Sequence, residues 1–274
     1  MWMGLFLVLA VVFVVEATSF AGELDRFRGV KGTLKIAGGT ALLPVMTEAA
    51  LRIHAVSSDI HIKVTGGGGT SCGILKVGEG LVDIGNCGRA LSDAEREQYR
   101  LISRPLALDG IAVAVHVANP VSELSVEQVK KIFSGQIDNW QALGGTDAPI
   151  VRYGRKQGSA TREIFEKKML GQRGAAECNI VSSNSTMRNI LAMDRDGIGY
   201  LSIGYIQPAK VKGITIDGVI PSQQNARNGK YGVTRTLYMA TGENPSELAI
   251  LFHEYLQSRE GMEIIKESGY IPLR

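Results

Sequence analysis

The sequence has little that could hold a metal or carry nucleophilic chemistry. Its four histidines are scattered at positions 54, 61, 116 and 253, and none of its three cysteines, Cys72, Cys87 and Cys178, stands at C-x-x-C spacing. A Cys/His metal site is therefore not expected, and no cofactor is implied. No Lys-Ser or Lys-Thr follows the longest glycine run, which excludes a P-loop. No dense cluster of Lys and Arg suggests a nucleic-acid partner. There is no internal repeat and no low-complexity segment. The longest unbroken apolar run, Leu5 to Val15, falls short of the roughly 20 residues that a membrane span needs.

That run, closed by Glu16 and followed by Ala17-Thr18-Ser19-Phe20-Ala21, ends in a small-x-small pattern before Gly22. It reads as a secretory signal peptide over 1–21, cleaved after Ala21, although no Lys or Arg precedes it; the competing reading is an uncleaved anchor. The remainder is ordinary for a globular protein, with 45% hydrophobic and 21% charged residues in a chain of 274. Loss of Glu16 raises the net charge from +3 to +4, a mildly basic balance that suits an anionic ligand but decides little.

After residue 30 the pattern alternates. Strands are expected at Leu34–Ala37, Ile60–Val64, Val82–Asn86, Leu106–Val117, Ile150–Tyr153, Ile198–Ser202, Ile214–Ile216 and Thr236–Ala240. Helices are expected from Gly38-Gly39-Thr40 to His54, from Thr70 or Ser71 to Glu79, over Asp93–Tyr99, from a capping box at Ser125 to Gly135, from Ser159 to Leu170, over Thr186–Asp194, and over Pro245–Gln257 and Glu260–Glu267. This repetition argues for an α/β architecture with mostly parallel sheets.

Glycine is abundant, at 33 residues, and three of its clusters share one design: a strand, a turn of glycine with a hydroxyl residue, then a helix. They are Gly38-Gly39-Thr40-Ala41, Gly68-Gly69-Thr70-Ser71 and Gly158-Ser159-Ala160-Thr161-Arg162, the last preceded by Arg155. A helix start has unpartnered N–H groups and partial positive charge, and glycine lets an anion approach the backbone. One such turn is an ordinary helix cap. Three, with arginines beside one of them, suit a compact oxyanion and need no catalytic group. An oxidising compartment permits one disulfide, and Cys72–Cys87 is the best candidate because both flank these turns.

The chain resembles the phosphate-binding proteins of bacterial ABC transporters, the PstS family. The likeness spans about 33–274 and rests on Gly38–Pro44, Gly66–Ile74, Asp83-Ile84-Gly85-Asn86, Leu108–Val113, Ile132-Phe133-Ser134-Gly135 with Asn139-Trp140, and Arg155 with Gly158–Glu163. It implies a type II periplasmic-binding-protein fold, with two lobes joined by two crossing strands. The first lobe is then 32–109 plus 236–274 and the second 110–235. It implies a monomeric, exported, non-enzymatic receptor that captures inorganic phosphate and delivers it to a permease with its ATPase. Thr40, the backbone of Ala41, Thr70 with Ser71, Arg155, Ser159, Ala160 and Thr161 are the expected ligand contacts, Ala160 standing where a glycine is usual. Several members have an Asp, accepting a hydrogen bond from protonated phosphate, where this chain has Gly88. Asp109 either takes that role or only braces the crossover, and Arg89 either meets the anion or pairs with a carboxylate of the other lobe.

Two competing readings are weaker. A receptor for sulfate, molybdate or tungstate would use the same hydroxyl-rich turns. A serine hydrolase would use Ser71 of Gly69-Thr70-Ser71-Cys72-Gly73, a G-x-S-x-G match, with His253 as its base. Glycines back to Gly66 separate Ser71 from its strand, whereas a nucleophile elbow turns sharply off one.

Overall fold

The computed structural model describes residues 22–171 and 176–273; the expected signal peptide lies outside the described residues. From Gly22 the chain makes a short 3-10 turn and enters β1 (Gly32–Gly38), α1 (Leu43–Val56), β2 (Ile60–Gly66), α2 (Gly69–Gly78), β3 (Ile84–Cys87) and α3 (Asp93–Tyr99). The long β4 (Leu101–His116) leads to β5 (Glu123–Leu124), α4 (Val126–Phe133), β6 (Val151–Arg155), α5 (Ala160–Phe165), β7 (Asn179–Val181), α6 (Asn184–Leu191) and β8 (Gly197–Ser202). Then follow β9 (Val211–Gly213), β10 (Thr215–Ile216), α7 (Gln223–Arg227), β11 (Thr234–Gly242), α8 (Glu247–Gln257), α9 (Arg259–Glu267) and β12 (Ile271–Pro272).

One continuous sheet runs in the order β2-β1-β3-β11-β4-β8-β6-β7. Its centre is β4. The first part of this strand pairs with β11 and its last part with β8, so a single strand passes from one lobe into the other. The return passage is beside it: Thr234 at the start of β11 is opposite Gly110. The sheet is mixed rather than mostly parallel. Every antiparallel pairing between the named strands involves β4 or β11, and these two, which cross the same junction in opposite senses, lie alongside each other. This pairing also extends β4 back to Leu101, through Arg104 and Pro105, where no apolar run announces a strand.

Each lobe has its own core. In the first, the apolar face of α1 (Val45, Met46, Ala49, Ile53) packs with Leu34 and Ile36 of β1 and with Phe252, Tyr255 and Ile264 of the last two helices. Ile74, Val77, Leu91 and Leu101 bury the opposite face of the sheet under α2. In the second lobe Phe133, Trp140, Phe165 and Tyr200 form an aromatic centre, with Phe165 stacked on Tyr200 at 3.9 Å between ring centroids. The Trp140 indole N–H donates to the carbonyl of Asp196 at 2.9 Å, so its polar edge is satisfied inside the core. Met187, Leu191, Leu201 and Val211 cover the other face of that sheet. In each lobe the sheet is thus covered on both faces, as α/β lobes require.

Several helix starts differ from expectation. The turn Gly38-Gly39-Thr40 does not itself begin a helix: α1 starts at Leu43, with Pro44 in its first turn, and Thr40 to Leu42 form a bend between strand and helix. Neither Thr70 nor Ser71 caps α2; its cap is Gly68, at φ 76°, and both hydroxyl residues lie within the first turn. The helix from Ser159 is α-helical only to Phe165 and continues as a π turn over Glu166–Leu170. The caps at Ser125 and Ser159 form as expected, the former as a full capping box with Gln128. Cys72 and Cys87 are both free thiols. Cys87 is in β3, buried among Ile74, Val77 and Leu91, whereas Cys72 on α2 is turned back over Gly68, so the two sulfurs have different surroundings.

Candidate ligand site between the lobes

The three glycine turns converge where the crossing strands meet. They enclose a small cavity, about 10 Å³, lined by Gly39 to Leu42 before α1, Gly69 and Thr70 of α2, Asn86 to Gly88 at the end of β3, Arg155 of β6, Ser159 to Thr161 at the start of α5, and Arg235 of β11. A space this size is on the scale of a single water molecule, far below what a sugar or nucleotide needs. Glycine makes the convergence possible. A Cβ on Gly69, at φ +80°, would meet the Gly158 carbonyl oxygen at 2.4 Å, and the N–H of Ser71 donates to that oxygen at 3.3 Å. The two turns, one from each lobe, therefore touch through their backbones.

The lining is strongly cationic. Arg155 is buried, with Nη1 on the Asn184 side chain at 3.2 Å and Nη2 on the Ser182 carbonyl at 3.1 Å, while its Nε has no protein partner. Burial, with Arg235 nearby, depresses its pKa to about 10. Arg235 is equally buried. Its Nε donates to Asp109 Oδ2 at 3.0 Å, its Nη1 donates to the Thr161 hydroxyl at 2.9 Å, and its Nη2 is 2.9 Å from Asp109 Oδ2. The hydroxyls around the cavity already accept from protein donors. Thr40 accepts from the Asn184 N–H and amide, each at 3.2 Å, Thr70 from the Gly88 N–H at 2.9 Å, and Ser159 from the Arg162 N–H at 3.5 Å. Their own protons are thereby directed away from these partners and can be given to a ligand.

Of the expected contacts, Thr40, Ala41, Thr70, Arg155, Ser159, Ala160 and Thr161 all line the cavity. Ser71 and Asp109 do not. Ser71 is held by its N–H at the seam between turns. Asp109 is fully enclosed behind Arg235: Oδ2 receives that guanidinium and Oδ1 the Ser202 hydroxyl at 2.8 Å. Burial raises its carboxyl pKa against the pull of Arg235 and Ser202. Its oxygens face Ser202 and Arg235, and it is not among the residues that line the cavity. Arg89 is also outside, donating to Glu95 at 2.8 and 2.9 Å and, across the cleft, to Glu163 at 2.8 Å.

Arg235 and Asn86 were not anticipated. Arg235 shares the buried face of β11 with Leu237 and Met239, and a cation in phase with apolar residues in an alternating strand is the pattern that marks it. Asn86 is a polar residue within a strand buried throughout. Arg235 also explains Gly88. A Cβ there would lie 2.8 Å from Arg235 Nη1 and 3.0 Å from the Ala160 Cβ, so the glycine leaves room for the guanidinium. Neither expected partner of the hydrolase reading is arranged for catalysis. Ser71 is inside a helical turn, and His253, on α8, has its Nε2 buried without a partner and its pKa lowered by burial.

Residues 28–260 match the model of a PBP superfamily domain. The phosphate-binding protein PstS of Bacillus subtilis (strain 168) is 33% identical over 277 aligned positions, covering 97% of this chain and 92% of the relative. A Clostridium perfringens protein designated a phosphate ABC transporter substrate-binding protein, solved with bound phosphate, superposes with a TM-score of 0.82 at 30% identity, over 89% of this chain and all of that one. An ABC-type phosphate transport receptor from Vibrio cholerae superposes with a TM-score of 0.67 at 31% identity, over 87% and 99% of the two chains. The two-lobed architecture with its crossing strands is the type II periplasmic-binding-protein fold of these neighbours. By the family model over most of its length, the relative aligned across nearly all of it and the converged turns, the chain belongs to the PstS family of substrate-binding transport proteins.

Proposed function

We propose that this protein captures inorganic phosphate between lobes 32–109 plus 236–274 and 110–235, and presents it to a membrane permease and its ATPase. The observation that carries the reading is the small cavity with two buried guanidiniums, the Nε of Arg155 unpartnered, and hydroxyl and helix-start donors from both lobes. A tetrahedral anion can engage Thr40, Ala41 and Thr70 on one side and Arg155, Ser159, Ala160 and Thr161 on the other. Only the closed arrangement uses both sets, so the ligand selects closure, and closure is what a permease can recognise. The protein acts as an exported monomer, freed from residues 1–21, and carries out no reaction on its ligand. Asp109 holds Arg235 in place as a positioning residue, and Ser71 helps to seat the seam.

The sulfate, molybdate or tungstate reading draws support from one feature, the lack of a free carboxylate among the described lining residues. The relatives and the two arginines favour phosphate. A thermal-shift titration of the dialysed protein with phosphate, sulfate and molybdate separates these readings. A ligand at one hundred times its dissociation constant adds about 2.7 kcal/mol of stability. A large shift with phosphate and little with the others is expected. A shift with sulfate or molybdate and none with phosphate would reassign the ligand.

A further inference from the structure

Asn86 is the one side chain at the cavity whose acceptor and donor are both unused. It is 1% exposed, and neither Oδ1 nor Nδ2 has a hydrogen-bond partner in the protein. Its backbone is fixed: the carbonyl accepts from the Gly39 N–H at 2.7 Å, and a Cβ on Gly38 would come within 2.7 Å of that oxygen. The residue is therefore held in the cavity lining by its strand. Burying such a group with nothing to bond is costly, and native proteins almost always satisfy it.

The other side-chain oxygens described at the site each already accept from at least one protein donor, whereas Asn86 Oδ1 accepts from none. Both lone pairs of Thr40 Oγ1 are taken by Asn184. Thr70, Ser159 and Thr161 each accept from a protein N–H, and both oxygens of Asp109 are occupied behind Arg235. A ligand that only accepts hydrogen bonds would satisfy Nδ2 and leave Oδ1 buried and unpaired. A ligand that also carries a proton satisfies both ends.

We propose that Asn86 is the specificity-determining residue of the site: its Oδ1 takes the hydrogen bond from the proton of a hydrogen-bearing tetrahedral oxyanion, and its Nδ2 gives one to another oxygen of the same ligand. This rests on the oxyanion reading given above and extends it to the choice between protonated and unprotonated ligands. A neutral amide does this without adding a negative charge, so it discriminates by an unsatisfied acceptor and not by charge repulsion. Unlike a carboxylate, it does not neutralise the Arg155 guanidinium, whose charge stays available to a dianion.

The test is calorimetric titration of phosphate and sulfate into the unaltered protein, Asn86→Leu and the near-isosteric Asn86→Asp, each checked for folding by circular dichroism. Leaving one acceptor unsatisfied corresponds to a preference of about tenfold to a hundredfold. Asn86→Leu should remove that preference for phosphate over sulfate, chiefly by weakening phosphate. Asn86→Asp, which restores an acceptor and adds charge, should abolish sulfate binding and move the optimum for phosphate to lower pH, where the ligand carries a second proton. An unchanged phosphate-to-sulfate ratio in Asn86→Leu, or an unchanged pH optimum in Asn86→Asp, overturns this inference while leaving the anion receptor intact. No binding of either anion by the unaltered protein overturns the receptor reading as well.

Discussion

Arg155 and Arg235 have different duties although they share one cavity. Arg155 is held by an amide and a carbonyl, neither of which neutralises it, so its charge is available to a ligand. Arg235 is neutralised by Asp109. Arg155→Ala should therefore weaken phosphate binding about a hundredfold or more, measured by titration calorimetry, because hydrogen bonds to charged groups contribute about 1.5–3 kcal/mol each. Thr40→Ala should cost less, since neighbouring helix-start N–H groups remain. Arg235→Leu should instead damage the fold, exposing no solvent to Asp109 and leaving that carboxylate uncompensated. A loss of about 3–5 kcal/mol in urea-monitored stability is expected, largely restored by Asp109→Asn in the same chain. The sequence makes the Arg155 half of this site readable because Arg155 and Ser159 to Thr161 are adjacent along the chain. Asn86 and Arg235 are brought in by separate strands, and only tertiary pairing puts them beside those turns. The carboxylate at Asp109 is visible as a crossover residue, but which way it faces depends on Arg235, 126 positions away.

At the scale of elements, local chemistry and long-range pairing divide the work. The capping box at Ser125 is fixed by four consecutive residues, and Ser125→Ala should lower the thermal stability by about 1 kcal/mol. The breadth of β4 could not be read in this way, because residues 101–105 become a strand only by lying against β11. Likewise the start of α1 shifts to Leu43 since Thr40 is drawn toward Asn184 of the second lobe, and the Tyr205 hydroxyl bonds the Thr40 carbonyl at 2.6 Å. At the cleft edge, Arg89 ties α3 to α5 through Glu95 and Glu163. The guanidinium holds the Glu95 carboxyl at about 2, below its ordinary 4.5. A depressed carboxyl pKa gives stability that is present above 4.5 and is lost as pH falls toward 2. Thermal melts between these limits should show that loss, and Glu95→Gln should flatten the pH dependence across this window while leaving other acid-sensitive groups unchanged.

For the whole molecule, the two lobes have separate cores, and the polar contacts described between them gather at the cleft. The family fold was legible as alternating elements and as shared motifs, but the mixed sheet was not, because the sense of β11 against β4 follows from the return crossing. Separate cores also predict separate unfolding. A ligand that bridges the lobes should couple them, since it binds the closed molecule and neither lobe alone with comparable strength.

Trp140 makes that coupling observable. It is one of two tryptophans in the chain, and the other, Trp2, falls in the segment read as a leader. With residues 1–21 removed, as proposed above, the tryptophan emission comes from a single indole, sealed in the second lobe with its N–H on Asp196 and not among the residues that line the cavity. Phosphate should leave this emission nearly unchanged, so fluorescence quenching is a poor measure of binding here. In a urea titration the same signal follows the second lobe alone, whereas far-ultraviolet dichroism averages both. Without phosphate the two curves should separate, and with saturating phosphate they should merge into one.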